Sequence, residues 1–303
     1  MKKILFIDCP KQLKNSFKTY SFLLQAQIKM QKFSEKIIMW NMSNTKVFDV
    51  NFLSVMYFIF EEQWRNGKDI FAYLPNKVAY NGKNILLSIF NYYAEDKRSF
   101  FKPRQISTKN IRETEDVLLK YLKKLELEKY DIIKTLISEI FANIKMHTEN
   151  KVGYITGQYC KEENVIIVSI ANADYSIARQ LEMKRGMIFE DDASALLWTL
   201  KKSNSTRDEL ETGGLGLYLL RKYIYQLEGS AAILSGKCYL EFDGECFNPN
   251  AENAIIIKEQ QKIIEEFQGT IITLTIPYVV KKKDSVKKRA EIKNINLLDM
   301  VGD

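Results

Sequence analysis

Three polar clusters in the second half of the 303-residue chain have residue types and spacing suited to holding an anion. In Thr212-Gly213-Gly214-Leu215-Gly216-Leu217, closely spaced glycines run directly into the amphipathic stretch Tyr218 to Ile224. Glycines there let backbone N–H groups approach an anion with no Cβ in the way, and a helix N-terminus adds partial positive charge. That is phosphate-binding chemistry, although a Gly-rich turn is also a common loop device. Upstream, Ser203-Asn204-Ser205-Thr206-Arg207 and the acidic stretch to Glu211 form a hydroxyl-rich loop, and Asn172-Ala173-Asp174-Tyr175-Ser176 form a polar turn between a strand-like and a helical pattern. Glu139 and Asn143 lie four apart in a helical run, hence on one edge of it. Such a pair occurs on many solvated helices, and its meaning comes from the segments that follow.

Other chemistries lack their residues. The phosphate loop GxxxxGK[ST] is absent, as is a GxGxxG after a first strand. Cys9, Cys160, Cys238 and Cys246 are scattered without a CxxC pair, and the single histidine, His147, has no neighbouring thiol, which argues against a zinc site, a disulfide framework and a phosphorelay histidine. With 46% hydrophobic and 27% charged residues the composition is that of a globular protein. No apolar run reaches the roughly 18 residues that span a bilayer, and Ile4 to Ile7, ended by Asp8, reads as a first strand rather than a signal peptide, so a cytoplasmic, reducing location is expected. The net charge is +7. Part of it lies in a basic tail, 281–303, with Lys281-Lys282-Lys283 and Lys287-Lys288-Arg289 before an apolar stretch. Such a tail can track nucleic acid or an anionic membrane surface, but a solvated, partly frayed terminus is the simpler account.

The elements that would position these clusters fall into two halves. Residues 1–105 alternate strand and helix patterns: Lys36 to Met42 and Asp69 to Leu74 as strands, Asn51 to Trp64 and Lys83 to Ala94 as helices, with Asp49 placed to cap the first helix and Gly67 to end it. Around Pro103 the pattern dissolves into a charged connector, within which Phe100-Phe101 could form an edge strand of the first half. Residues 106–280 then read as helices Val117 to Glu128 and Tyr130 to Met146, strands Gly153 to Cys160 and Asn164 to Ala171, a helix from Ile177, the glycine turn with its helix, and a final strand from Gly269 to Pro277.

In this order, the second half resembles the GHKL ATP-binding superfamily, the fold shared by histidine kinases, anti-sigma serine kinases, gyrase, the Hsp90 chaperone and the MutL repair protein. The helix with Glu139 and Asn143 is similar to the N box, Asn172 to Ser176 stand where the first glycine box belongs, Gly214-Leu215-Gly216-Leu217 is similar to the second, and Gly269-Thr270 opens the last strand. The resemblance implies a Bergerat-type sandwich with helices on one face of a mixed sheet, and ATP with Mg2+ as cofactors. It further implies that Asn143 coordinates the Mg2+, that Glu139 is the general base, that the Gly213 to Leu217 backbone wraps the phosphates, and that Thr206 and Arg207 touch the terminal one. Thr270 would help hold adenine. The adenine-reading aspartate of the family is replaced by Asn172, whose carbonyl oxygen can still accept the bond from the base; a register shifted by two makes Asp174 the reader. The glycines expected after it are Asp174 and Ser176, which stiffens that turn.

The first half resembles the STAS fold of anti-sigma factor antagonists, carried by Ile37 to Asn44, Phe48-Asp49, the following helix and Asn66 to Ile70. A generic βαβ layer fits the same residues. In that family a serine in the loop before this helix is phosphorylated by a partner kinase; the matching position here is Asn51, which has no hydroxyl. The resemblance therefore implies a retained docking surface without the covalent switch. Together the two halves predict an α/β chain acting as an ATP/Mg-binding regulatory switch in bacterial signalling. It would have a protein partner, a possible homodimer, and serine/threonine kinase or weak ATPase activity; the alternatives are a non-catalytic scaffold with a degenerate nucleotide site or a nucleic-acid-associated ATPase using the tail.

Overall fold

In the computed structural model, which describes residues 3–75, 77–79, 84–94, 100–107, 109–147, 153–160, 163–172, 175–202, 204 and 216–279, the chain is α/β, with one large sheet built from each half of the sequence. The first half runs β1 (Ile4–Asp8), β2 (Gln12–Leu13), α1 (Phe17–Lys32), β3 (Ile37–Asn41), β4 (Val47–Phe48), α2 (Leu53–Arg65), β5 (Asp69–Leu74), β6 (Lys77–Ala79) and α3 (Asn84–Ala94). Its sheet has the order β1-β3-β5-β6, the first three strands parallel and β6 antiparallel, while β2 and β4 form a separate parallel pair. Ile7, Ile38, Trp40, Ile70 and Ala72 point to one face and are buried with Tyr20, Leu23 and Met30 of α1 and Val55, Met56 and Ile59 of α2. The expected strands and helices correspond to β3, β5, α2 and α3. Helix α1 was not expected, because Lys18, Gln25, Gln27, Lys29 and Gln31 interrupt its apolar stripe. Gly67 ends α2 as anticipated, with φ +73 and its N–H donating to Trp64 O at 3.0 Å. A short 3-10 turn, Val50–Phe52, precedes α2, and the Asp49 carboxylate ties this corner to the chain before α1 by accepting the Asn15 N–H at 2.7 Å.

The second half runs β7 (Phe100–Ile106), α4 (Ile111–Lys124), α5 (Tyr130–His147), β8 (Gly153–Cys160), β9 (Val165–Asn172), α6 (Ile177–Arg185), α7 (Asp192–Thr199), α8 (Gly216–Leu227), β10 (Ser230–Asp243) and β11 (Glu259–Pro277). Its sheet has the order β10-β11-β9-β8-β7 and is antiparallel at every junction, which corrects the expectation of a mixed sheet. The Phe100-Phe101 stretch belongs to this sheet too: β7 pairs with β8, so it is an edge of the second sheet and not of the first. Asn110 starts α4 six residues earlier than expected by closing a turn onto the Ser107 N–H at 2.7 Å.

Helices cover both faces of this sheet, another departure from the one-sided sandwich. Side chains of α4, α5, α6, α7 and α8 form a core with Ile155, Ile166, Val168 and Ile170 on one face. On the other, Ala171, Ala232, Leu234 and Ile271 share a core with α1 and α2. The sequence of β9, VIIVSIAN, is apolar at nearly every position instead of alternating because both of its sides are buried. Helices α1 and α2 thus lie between the two sheets.

A directed chain of hydroxyls crosses that contact. Thr273 donates to Ser169 at 3.1 Å and Ser54 donates to the Asn51 carbonyl at 2.8 Å. Ser169 therefore donates to Ser54 at 3.1 Å, and Tyr20, whose hydroxyl also donates to Asn15 Oδ1 at 3.3 Å, lies 2.9 Å from Thr273. Asn51 itself is 1% exposed, in the turn packed against β8 and β9. The surface that the STAS resemblance would leave open to a partner is covered by the chain's own second sheet. Tyr20→Phe keeps the ring packing and deletes one link of the chain. It is expected to lower stability by about 1 kcal/mol, read as a reduced urea midpoint with an unchanged slope.

Candidate functional site

The polar cluster best defined by the structure stands where β9 and β11 meet α6. Asn172 is the last residue of β9 and is in register with Thr270 of β11 on one side and Gly153 of β8 on the other. Asn172 is 8% exposed, and its carbonyl oxygen Oδ1 has no hydrogen-bond partner among the described residues. Thr270 Oγ1 lies 3.0 Å from Ser235 Oγ of β10, and Ser235 Oγ accepts the Ile177 N–H at 2.8 Å, fastening the start of α6 to the sheet. Ser176 caps α6, accepting the Arg179 N–H at 3.3 Å, with an extended backbone at φ −60 and ψ 158. No positive φ is required at Ser176, so its backbone makes no demand for glycine.

A bulge places Ser235. The β10–β11 register shifts between Ser235 and Gly236 and again between Gly236 and Cys238. Gly236 has φ +59, and the Asp192 carboxylate lies against it, accepting the Lys237 N–H at 2.9 Å. Helix α7 begins at this carboxylate. Its cap, Asp191, accepts the Ser194 N–H at 2.8 Å, and that bond is the main reason its carboxyl is held below the usual aspartate range. Beside the bulge, burial and then the two aspartates push the Cys238 thiol up to about 12, so it supplies no thiolate at neutral pH.

Glu139 and Asn143 stand on α5, a separate element, one turn apart and half-buried. Helix α8 packs beside α5 and begins at Gly216, with Leu217 half-buried against the helical core. One turn further on, Arg221 is 1% exposed and donates to Leu200 O at 2.9 Å, Glu252 O at 3.3 Å and Ala254 O at 2.8 Å, with its guanidinium 5.3 Å from the Phe247 ring centre. It ties α8 to the end of α7. Burial draws its pKa below the ordinary arginine value.

Of the residues singled out by sequence, Thr270 is thus linked through Ser235 to the start of α6 that Ser176 caps, Asn172 stands in register with Thr270, and Glu139, Asn143, Gly216 and Leu217 are placed on neighbouring helices. Asp174, Thr206, Arg207, Gly213, Gly214, Leu215 and the tail 281–303 lie outside the described residues. Among the described residues no three His, Cys, Asp or Glu side chains gather as metal ligands, and no helix is long and apolar enough to cross a membrane. Sequence reasoning missed Ser235, Gly236 and Arg221. An isolated glycine within the strand-like run Ala231 to Phe242 was the available signal for the bulge. Comparison with protein-family models, curated proteins and solved structures returned no match.

Proposed function

We propose that this chain is a Mg·ATP-binding regulatory protein whose nucleotide site lies at the ends of β9 and β11, with the first half of the chain as its responding part. The observation that carries this is the Asn172 carbonyl oxygen, more than nine-tenths buried, without a partner among the described residues, and in register with a threonine whose hydroxyl is already engaged. A buried acceptor left unmade is costly, and an exocyclic amino group such as that of adenine would satisfy it. An adenine base fits this acceptor on that ground. Asn172 would accept from the base, Thr270 would support it, Asn143 would supply an amide oxygen to the magnesium, and the backbone from Gly213 to Leu217 would hold phosphate. Bound magnesium would neutralise phosphate charge. Glu139, one turn before Asn143, is the residue to receive a proton from water or from an acceptor hydroxyl.

The link to the first half follows from strand alternation. Ala171 and Ile271, next to Asn172 and Thr270, face α1 and α2, and Ser169 and Thr273 carry the hydroxyl chain. A shift of the two strand ends would be felt directly by the other layer.

The test is isothermal titration with ATP and a non-hydrolysable analogue, with and without Mg2+. Magnesium-dependent binding is expected, weakened at least about tenfold in Asn172→Ala and lost in Asn143→Ala. No binding under any condition would leave the chain a scaffold that has kept the arrangement without the ligand. With binding in hand, label transferred from ATP to a co-purified partner but not by Glu139→Ala would mark a protein kinase.

A further inference from the structure

Three polar side chains stand in one row across the second sheet: Ser235 of β10, Thr270 of β11 and Asn172 of β9, each in register with the next. Strand alternation turns this row away from the first half, against which the adjacent Leu234, Ile271 and Ala171 pack. Beyond Asn172 the row ends at Gly153, which has no side chain. None of the three is fixed as a donor or as an acceptor. Ser235 Oγ accepts the Ile177 N–H at 2.8 Å and has one proton to give, either to Gly269 O at 3.4 Å or to Thr270 Oγ1 at 3.0 Å. In the first case Thr270 donates to Ser235 and keeps a lone pair for a ligand. In the second Thr270 receives from Ser235, and its own proton is left to donate. Thr270 is only half-buried, so part of it is open to a ligand. Asn172 is 8% exposed, and its Oδ1 has no partner among the described residues, so a half-turn of the amide costs that oxygen no hydrogen bond. That half-turn exchanges an acceptor for a donor at the same place.

We propose that this row meets the six-position of a purine without selecting its polarity, so that the site takes 6-oxo purine nucleotides as well as the 6-amino purine adenine. The inference rests on the nucleotide site proposed above and adds its base selectivity. Adenine offers an amino donor at the six-position beside an acceptor nitrogen, whereas a 6-oxo purine offers an acceptor oxygen beside a protonated nitrogen. An amide meets either edge with two hydrogen bonds. In one orientation its oxygen accepts from the amino group and its nitrogen donates to the ring; in the other its nitrogen donates to the oxo group and its oxygen accepts from the ring N–H. The Thr270 hydroxyl reverses with it through Ser235. A carboxylate in the place of Asn172 could only accept. Opposite an oxo group it would set acceptor against acceptor where little water reaches, and such an unmatched pair is what makes a hydrogen-bonding site reject one of two ligands of the same shape.

Isothermal titration of the full chain with ATP and with inosine triphosphate, both with Mg2+, tests this, because adenine and hypoxanthine differ only in the six-substituent and the ring proton beside it. Wild type is expected to bind the two within about fivefold of each other. Asn172→Asp keeps the shape and removes the donor, and it is expected to move the ratio at least about tenfold in favour of ATP. The wild-type comparison stands by itself should that variant fail to fold. Inosine triphosphate bound more weakly than ATP by more than about fivefold in wild type overturns the inference and leaves the nucleotide site standing. A folded Asn172→Asp whose ratio equals that of wild type also overturns it, since the base would then be read elsewhere. Failure of both nucleotides to bind wild type overturns the proposed function, and the inference with it.

Discussion

Replacing Arg221 by methionine is expected to lower the stability of the protein by about 3 kcal/mol, a fall in melting temperature of roughly 5 °C for a chain of this size. The guanidinium is fully buried and its partners are backbone carbonyls from two segments, Leu200 at the end of α7 and Glu252 and Ala254 in the loop between β10 and β11. Methionine fills most of the volume but leaves those carbonyls without donors. Leu200 is wholly buried, so its carbonyl bears the largest penalty, whereas Glu252 and Ala254 lie nearer to water. Arg221→Lys is expected to recover only part of the loss, since one ammonium cannot reproduce the fork that spans two segments. A functional consequence should accompany the structural one. Arg221 fixes α8 one turn after Gly216, so on the proposed function the methionine variant binds Mg·ATP several-fold more weakly at a temperature where it is still folded. Calorimetric melting and nucleotide titration of the same preparations separate the two effects. Melting unchanged within about a degree would show that water, not Arg221, satisfies these carbonyls.

What the sequence disclosed and what it hid divide along a physical line. Elements whose burial is one-sided or complete announced themselves: α5 through Ile133, Leu136, Ile137, Ile140 and Ile144, and β9 through a nearly continuous apolar run. Asn172, Thr270 and Ser176 could be singled out because strand ends and helix starts carry polar residues in recognisable order; in the structure the Ser235 hydroxyl links Thr270 to the start of α6, and Asn172 stands in register with Thr270. Ser235 was invisible, since a serine in a strand differs from its neighbours only once the bulge at Gly236 has turned it. Arg221 was invisible for the opposite reason: an arginine on an amphipathic helix is normally solvated, and only the return of the 252–254 loop buries it. The packing of the two halves was illegible as well. The residues that make it, Tyr20, Ser54, Ser169 and Thr273, are hydroxyls that read as surface until both sheets are in place.

The bulge gives the second large expectation, because Gly236 is held by two independent constraints. Its φ of +59 lies where an L side chain costs about 1 kcal/mol, and a Cβ built there would stand 2.3 Å from an Asp192 carboxylate oxygen. Gly236→Ala must therefore strain the backbone and displace the carboxylate, which releases the Lys237 N–H and loosens the first turn of α7 from β10. A combined loss of about 2 to 3 kcal/mol is expected in chemical denaturation. The two contributions separate in a double-mutant cycle. Asp192→Ala removes the obstacle at the expense of its hydrogen bond, and adding Gly236→Ala to it should cost only the backbone share of about 1 kcal/mol, so the pair is less destabilised than the sum of the singles. Strict additivity would mean that the carboxylate moves aside freely and that α7 is not anchored at the bulge. The cycle also bears on the site, because Ser235 precedes Gly236 and its hydroxyl links Thr270 to the start of α6. If the bulge aims that hydroxyl, Gly236→Ala weakens nucleotide binding on the proposed function while Asp192→Ala, which leaves the φ of Gly236 undisturbed, weakens it less. Equal affinities in the two variants would place the control of Ser235 elsewhere in the sheet.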